Sequence, residues 1–170
     1  MGFIDLLALI WDRVTFAKVV ESWERGVRFR RGTPEPAPLE AGLWWHWPLV
    51  DRIEVIPWRE RFIDLPVQSI TTADGLEVAL SANIGYEITD AVKAYTEVHD
   101  YEESLARLAA GHLHRKIHEW TYHELVGAIG KLEKSLEGTL STRSRPWGIT
   151  IRDVGITDLV KARAYRLLSV

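Results

Sequence analysis

The stretch from Leu76 to Ile88 constrains this chain more than any other. Leu76, Val78, Leu80, Ala82, Ile84, Tyr86 and Ile88 occupy every second position, with Glu77, Ala79, Ser81, Asn83, Gly85 and Glu87 between them. A period of two over this length is that of a long β-strand with one buried face and one solvated face. Asp74-Gly75 stands immediately before it. That dipeptide predicts a hairpin turn, because glycine takes positive φ at no steric cost. A strand lying before the turn, in the stretch that starts at Glu60, should therefore pair with the long one.

A chain of 170 residues with 46% hydrophobic content has the length and apolar share of one globular domain, or of two small subdomains sharing a core. A net charge of −3 and the lack of interleaved aromatic and basic residues give no footprint for nucleic acid. Cysteine is absent, which excludes disulfides and thiolate chemistry and fits a reducing cytoplasm. Of the 8 tryptophans, Trp44, Trp45 and Trp47 crowd into one short segment.

The first 18 residues read as an amphipathic helix. Phe3, Leu6, Leu7, Ile10, Trp11 and Val14 share one broad face, and Asp5, Asp12 and Arg13 lie opposite. Spanning a bilayer needs about 20 apolar residues with few charges, and Asp5, Asp12, Arg13 and Lys18 interrupt this run. A secretory signal wants a positive start and a small-residue cleavage site; neither is present. Two readings remain: a helix lying in the membrane interface, or a helix packed on its own domain or on a neighbouring subunit.

Along the rest of the chain, Glu21–Arg30 reads as a short strand broken at Gly26. Residues 31–38, with Pro34, Pro36 and Pro38, read as a loop, and Gly42–Pro48 as an aromatic strand or turn. Ile53–Ile56 reads as a strand ended by Pro57. Asp90 and Asp100 are expected N-caps for helices over Ala91–Val98 and from Tyr101, the second with the stripe Leu105, Leu108, Ala109, Leu113, Ile117 and Trp120. A third helix is expected from about Thr121 through Leu136, weakened by Gly127 and Gly130. A turn over Arg143–Pro146 and a strand over Ile149–Ile156 follow. A shift of apolar parity between Ile151 and Val154 suggests a bulge in that strand. A final helix is expected over Leu159–Leu168, capped by Asp158. Strands, then helices, then one strand make an α+β fold: an antiparallel, strongly twisted sheet packed against two to three helices, behind the N-terminal amphipathic helix.

These segments together resemble the SPFH or band 7 family, which includes stomatins, prohibitins and flotillins. Glu24-Arg25-Gly26-Val27-Arg28 resembles the family's first-strand turn, and Leu39–Pro48 its "L-x-P-G-L" segment, with Ala41 in place of proline. Arg61–Gly75 resembles "R-x-x-D-l-P-x-Q-x-x-x-T-x-D-G", and Tyr86–Asp90 resembles "Y-x-I-x-D". Leu105–Glu124 resembles the helix leading into "T-x-x-E-L". Trp147-Gly148-Ile149, with Val154, Ile156 and Asp158, resembles the closing segment. The resemblance covers roughly residues 19–168 and implies a non-enzymatic, membrane-associated scaffold. It implies a chain that homo-oligomerises at the cytoplasmic face of a membrane and organises microdomains or modulates membrane proteases or channels. Its expected partners are copies of itself and the lipid surface. Family members continue into a long helical or coiled-coil region. This sequence stops at Val170, so the chain reads either as a fragment or as a minimal member that assembles through the domain itself. The alternative function is a soluble self-assembling or adaptor module that uses the fold without lipid.

No motif outweighs a structural explanation as a catalytic or cofactor site. His114 and His118 have the spacing of two helical metal ligands, with Glu119 and His123 nearby, and would suit a metal hydrolase. However, His123 falls five residues after His118 rather than the four of HExxH, and no further ligand is indicated. A solvated helix face explains them, so neither a metal nor a cofactor is expected. The tryptophan cluster reads either as interfacial or as core. We expect Trp45 and Trp47, which share a strand face, to be core. Trp44 is expected at the membrane, together with Phe3, Leu6, Leu7, Ile10, Trp11 and Val14.

Overall fold

The computed structural model of the chain describes residues 16–47 and 49–161. The expected amphipathic face from Phe3 to Val14 lies outside them, as do residues 162–168 of the expected last helix. The fold is α+β and divides into two compact units, one of residues up to Arg59 with Ile88–His99, the other of Glu60–Glu87 with residues from Asp100 onward.

The second unit contains the long alternating strand. Its sheet has the order β6-β7-β8, where β6 is Arg61–Thr71, β7 is Glu77–Ile88 and β8 is Ile149–Lys161. The β6–β7 hairpin turns at Gly75, whose φ of 77° is the left-handed conformation the dipeptide predicted. Val78, Leu80, Ala82, Ile84, Tyr86 and Ile88 are all buried, so the alternation marks the core face as expected.

The opposite face of β7 is only partly solvated, which narrows the sequence reading: Glu77 is exposed, Ala79, Asn83 and Glu87 are half-buried, and Ser81 and Gly85 are buried. Ser81 is buried, its hydroxyl lying 3.0 Å from the Thr157 hydroxyl and donating to Asp158 at 3.0 Å. Asn83 Oδ1 accepts the Gly155 N–H at 3.1 Å, and Glu87 pairs with Arg152 at 2.6 Å. A Cβ on buried Gly85 would lie 2.9 Å from the Phe62 ring. The cause is position: β7 is the central strand, and the Phe62 ring of β6 and polar side chains of β8 close over it. These contacts pair rising numbers on β7 with falling numbers on β8, so the two strands are antiparallel.

Strand β6 carries one extra residue. Its register runs to Leu65↔Ala82 and resumes at Gln68↔Leu80, leaving Pro66 and Val67 as a bulge. Proline has no N–H to give a ladder, which suits it to a bulge. The added residue also returns Ile70, paired with Val78, to the buried face that Leu65 occupies. In β8 the predicted parity shift is present. Ile149 and Ile151 are buried, Arg152 and Asp153 are exposed, and Val154 is buried again. Beyond it, Gly155 N–H is taken by Asn83 and Ile156 N–H by Glu133 Oε1 at 3.0 Å. This strand extends to Lys161, so Leu159–Lys161 are not the start of a helix. Asp158, expected as an N-cap, instead accepts the Ser81 hydroxyl.

The helices of this unit are α2 (Tyr101–Glu119), α3 (Tyr122–Gly127) and α4 (Ile129–Ser144); a short helix α1 (Ala91–Thr96) belongs to the first unit. Asp100 caps α2 by accepting the Glu103 N–H, and Leu105, Ala109, Leu113 and Ile117 form its buried stripe. The expected third helix is two helices. Ala128, at φ −130° and ψ 23°, separates a one-and-a-half-turn α3 from α4. Gly127 and Gly130 flank that break and lower the helix preference there. Thr121 and Glu124 form a full capping box at the start of α3. Leu132, Leu136 and Leu140, one turn apart, make the buried stripe of α4. That helix runs to Ser144, where a turn was expected, and passes into a single 3-10 turn, Arg145–Trp147. Gly148, at φ 70°, ends it and starts β8.

The first unit comprises β1 (Ala17–Val20), β2 (Glu24–Arg30), β3 (Thr33–Pro34), β4 (Gly42–Trp45), β5 (Asp51–Pro57) and α1. Strand β1 starts at Ala17, so the last residues of the expected N-terminal helix are strand. Two small antiparallel sheets form, β1-β4 and β3-β2-β5. Gly26 does not break β2. It is buried inside the strand and exchanges two backbone hydrogen bonds with Leu39, at 2.9 and 2.6 Å. A Cβ here would be crowded, standing 3.0 Å from Leu39 Cβ and 3.1 Å from Val20, so either neighbour would have to give way. Helix α1, capped by Asp90, is fixed by the Tyr95 hydroxyl donating to Val55 O at 3.1 Å and by an edge-on contact of Tyr95 with Phe29.

Candidate functional site

The β1–β4 ribbon sorts its side chains by register. Ala17 pairs with Trp45, Lys18 with Trp44, Val19 with Leu43 and Val20 with Gly42. Residues directly opposite share a face, so Val20 and Trp44 point one way while Val19, Leu43 and Trp45 point the other. Val20 is buried. Trp44 is half-buried, donates its indole N–H to Glu40 O at 2.8 Å and packs 5.7 Å from the Arg28 guanidinium.

The other face is open. Val19 is 54% exposed, Leu43 58% and Trp45 69%. Trp47, two residues further on, is 67% exposed, and Leu49 is 94% exposed. The ring of Phe16 meets Trp47 edge-on at 5.9 Å, and the His46 N–H donates to Phe16 O at 2.8 Å. The expectation that Trp45 and Trp47 are core is therefore overturned, and Trp44 is the most covered of the three tryptophans. A two-stranded ribbon has one face to bury, and here Val20 and Trp44 occupy it. Phe16, Val19, Leu43 and Leu49 were missed as site residues. What would have found them is the pairing of Ala17–Val20 with Gly42–Trp45, which the reading of Ala17 and Lys18 as the end of the N-terminal helix hides.

Behind the aromatic cluster lies a charged group from β2, β5 and the loop after β3. Arg30 pairs with Glu35 at 3.4 Å and with Asp51 at 3.3 Å, and Arg28 reaches Glu35 at 3.9 Å. Arg28 Nη2 also donates to Trp45 O at 3.2 Å, which ties the charged layer to the ribbon. A second aromatic–cation cluster sits where Glu24 of β2 pairs with Pro57 of β5. Arg25 lies 4.4 Å from the Trp58 ring and Arg59 5.5 Å from Trp23, both tryptophans being exposed.

The histidines of α2 do not converge on a site. His114 and His118 are exposed, their ring centroids 6.3 Å apart. Among the described residues no three His, Cys, Asp or Glu side chains gather where a metal could be held. None of the described helices is long and apolar enough to cross a membrane.

A model of the SPFH domain / band 7 family matches residues 18–166. The chain is 30% identical over 154 residues to an uncharacterized protein of Archaeoglobus fulgidus, covering 91% of this chain and 61% of that protein. It is 29% identical over 156 residues to a stomatin homolog of Pyrococcus horikoshii, with coverages of 92% and 58%. With mechanosensory protein 2 of Caenorhabditis elegans it shares 27% identity over 143 residues, covering 84% of this chain and 30% of that protein. The chain thus spans about three-fifths of the length of the first two relatives (61% and 58%). By the extent of the family match and by its α+β fold, the chain belongs to the SPFH domain / band 7 family of generally membrane-associated scaffold proteins.

Proposed function

We propose that this chain is a non-enzymatic scaffold that associates peripherally with a membrane, assembles with copies of itself and acts on membrane proteins held nearby. The observation that carries the membrane part is the open face of the β1–β4 ribbon. Val19, Leu43, Trp45, Trp47 and Leu49 put large apolar side chains into solvent beside one another in sequence and register. Exposed apolar surface of this kind marks an interaction site. Tryptophan in particular favours the membrane interface, where an apolar ring meets a wet boundary. The face Phe3, Leu6, Leu7, Ile10, Trp11 and Val14 would add to the same contact, and Trp44 would support the ribbon from behind.

Flotation with liposomes tests this. The protein should rise with vesicles, and the double substitution Trp45→Glu, Trp47→Glu should leave most of it in the soluble fraction. If the wild-type chain stays soluble across lipid compositions, the membrane reading is wrong. If the double variant floats unchanged, the ribbon is not the contact. Light scattering on and off vesicles addresses assembly; a monomer in both settings would rule out a scaffold built from copies of this chain.

A further inference from the structure

A pocket of about 410 Å³ opens beneath the exposed ribbon, all of it within the first unit. Three aromatic rings line it, those of Phe16, Trp45 and Trp47, together with Arg28, Arg30 and Asp51. Its charges are balanced in a particular way. Two guanidinium groups face one carboxylate inside the pocket, and Glu35 behind them pairs with both arginines. His46 completes the lining. Two nitrogen atoms of this lining, Arg28 Nε and His46 Nδ1, are buried and have no hydrogen-bond partner among the described residues. A buried polar atom left without a partner is unfavourable, so native structures seldom leave one unsatisfied.

We propose that this pocket binds a zwitterionic phosphodiester headgroup, one that carries an ammonium beside its phosphate, as ethanolamine and choline lipids do. The phosphate is matched by Arg28 and Arg30, whose planar forks suit phosphate oxygens and whose N–H donors each outnumber those that the pairings with Glu35, Asp51 and Trp45 O use. The ammonium is matched by the aromatic lining of Trp45, Trp47 and Phe16, residues whose ring faces attract cations, and by Asp51, a carboxylate with acceptor capacity beyond its bond to Arg30. A bare phosphate would leave its negative charge uncompensated in a site where two arginines already face two acids. A headgroup of zero net charge preserves the balance. The pocket sits directly under the apolar ribbon, so a headgroup would enter as the tryptophans reach the acyl boundary. The assignment rests on the membrane reading above, and its test separates the two.

The probe is glycerophosphoethanolamine, the water-soluble headgroup, titrated into the whole chain and followed by calorimetry and by the Trp45 and Trp47 indole N–H resonances. It should bind and shift both indoles, and inorganic phosphate should bind at least about tenfold more weakly. Asp51→Asn and Arg28→Gln should each weaken headgroup binding by about tenfold or more. Should Arg28→Gln prove unfolded by circular dichroism, Asp51→Asn carries the comparison alone. In parallel, vesicles of phosphatidylethanolamine mixed with phosphatidylglycerol should recruit the chain better than pure phosphatidylglycerol. Headgroup binding with no flotation would uphold the pocket and remove the membrane reading. Flotation without headgroup binding or headgroup preference would uphold the membrane reading and overturn the pocket. Inorganic phosphate binding as tightly as the headgroup would also overturn it, showing a plain anion site.

Discussion

The phenol of Tyr86 donates a 2.6 Å hydrogen bond to Glu102 Oε1, and the same oxygen receives Arg61 Nη1 at 3.0 Å. Strands β6 and β7 and the first turn of α2 therefore meet at one carboxylate. Tyr86 is buried while Glu102 is partly exposed, so removing the hydroxyl loses a charge-assisted hydrogen bond that water replaces only in part. Tyr86→Phe should lower unfolding stability by about 1–2 kcal/mol, measured by urea denaturation, with little change in m-value.

The same hydroxyl makes stability depend on alkaline pH. Burial, then the bond to Glu102, raise the Tyr86 pKa well above that of a free tyrosine. The folded state thus keeps a proton that the unfolded chain releases near pH 10, to use the ordinary tyrosine value. The contribution is complete below about pH 10 and is lost as pH rises above it. Tyr101 shifts in the same direction, mainly through burial. Melting temperature should fall with increasing pH above about 10, and less steeply in Tyr86→Phe. An unchanged slope in the variant would assign the effect elsewhere.

His112 gives the acid counterpart. It is buried between α2 and α4, with Nε2 lying 3.1 Å from Ser135 Oγ, while Ser135 O accepts the Thr139 hydroxyl. Burial first, then the charges of Arg115 and Lys116, lower its pKa below 6.5, with Glu119 opposing. The unfolded chain is protonated before the folded one, so stability is present above about pH 6.5 and is lost as pH falls below it. Melting curves should shift downward in this range for the wild type and remain flatter for His112→Gln.

Gly26→Ala should be among the most damaging small substitutions. The new methyl would meet Leu39 Cβ at 3.0 Å and Val20 at 3.1 Å, both on buried residues. Overpacking of this kind lowers stability by about 1–3 kcal/mol. Hydrogen exchange should show the loss at the Gly26 and Leu39 amides, which bond each other's carbonyls.

Thr121→Ala removes one half of the capping box that starts α3, where Thr121 Oγ1 accepts the Glu124 N–H and Glu124 Oε2 accepts the Thr121 N–H at 2.9 Å. The expected loss is about 1 kcal/mol. Thr121→Ser should recover most of it, which a simple packing role for the threonine methyl would not allow.

The elements most legible in the sequence are those with long periodic patterns. The core face of β7, the stripe of α2 and the caps Asp90 and Asp100 follow from spacing and side-chain chemistry alone. The misread elements share a different property, in that their environment is set by partners distant in sequence. The polar positions of β7 read as wet because alternation cannot reveal that β6 and β8 flank both sides. Trp45 and Trp47 read as core because hydrophobicity does not disclose that, among the described residues, β4 pairs only with β1. Asp158 suggested a helix cap, and its carboxylate was claimed by Ser81 some 77 residues away. The Arg28–Asp51 layer was invisible for the same reason, since its charges come from different strands.

The bulge at Pro66 and Val67 bears on what another strand could do at this sheet. Among the described residues β6 and β8 are the outer strands of their sheet, and an open outer strand is a template onto which another chain can add. On β6, Pro66 offers no amide proton and the extra residue throws a visiting strand out of step. On β8, Glu133 already occupies the Ile156 amide. Strand-by-strand growth, the route by which sheets run on into fibres, is thus obstructed at both borders of this unit. If copies of this chain assemble as proposed, this sheet would contribute side-chain surfaces rather than open strand edges.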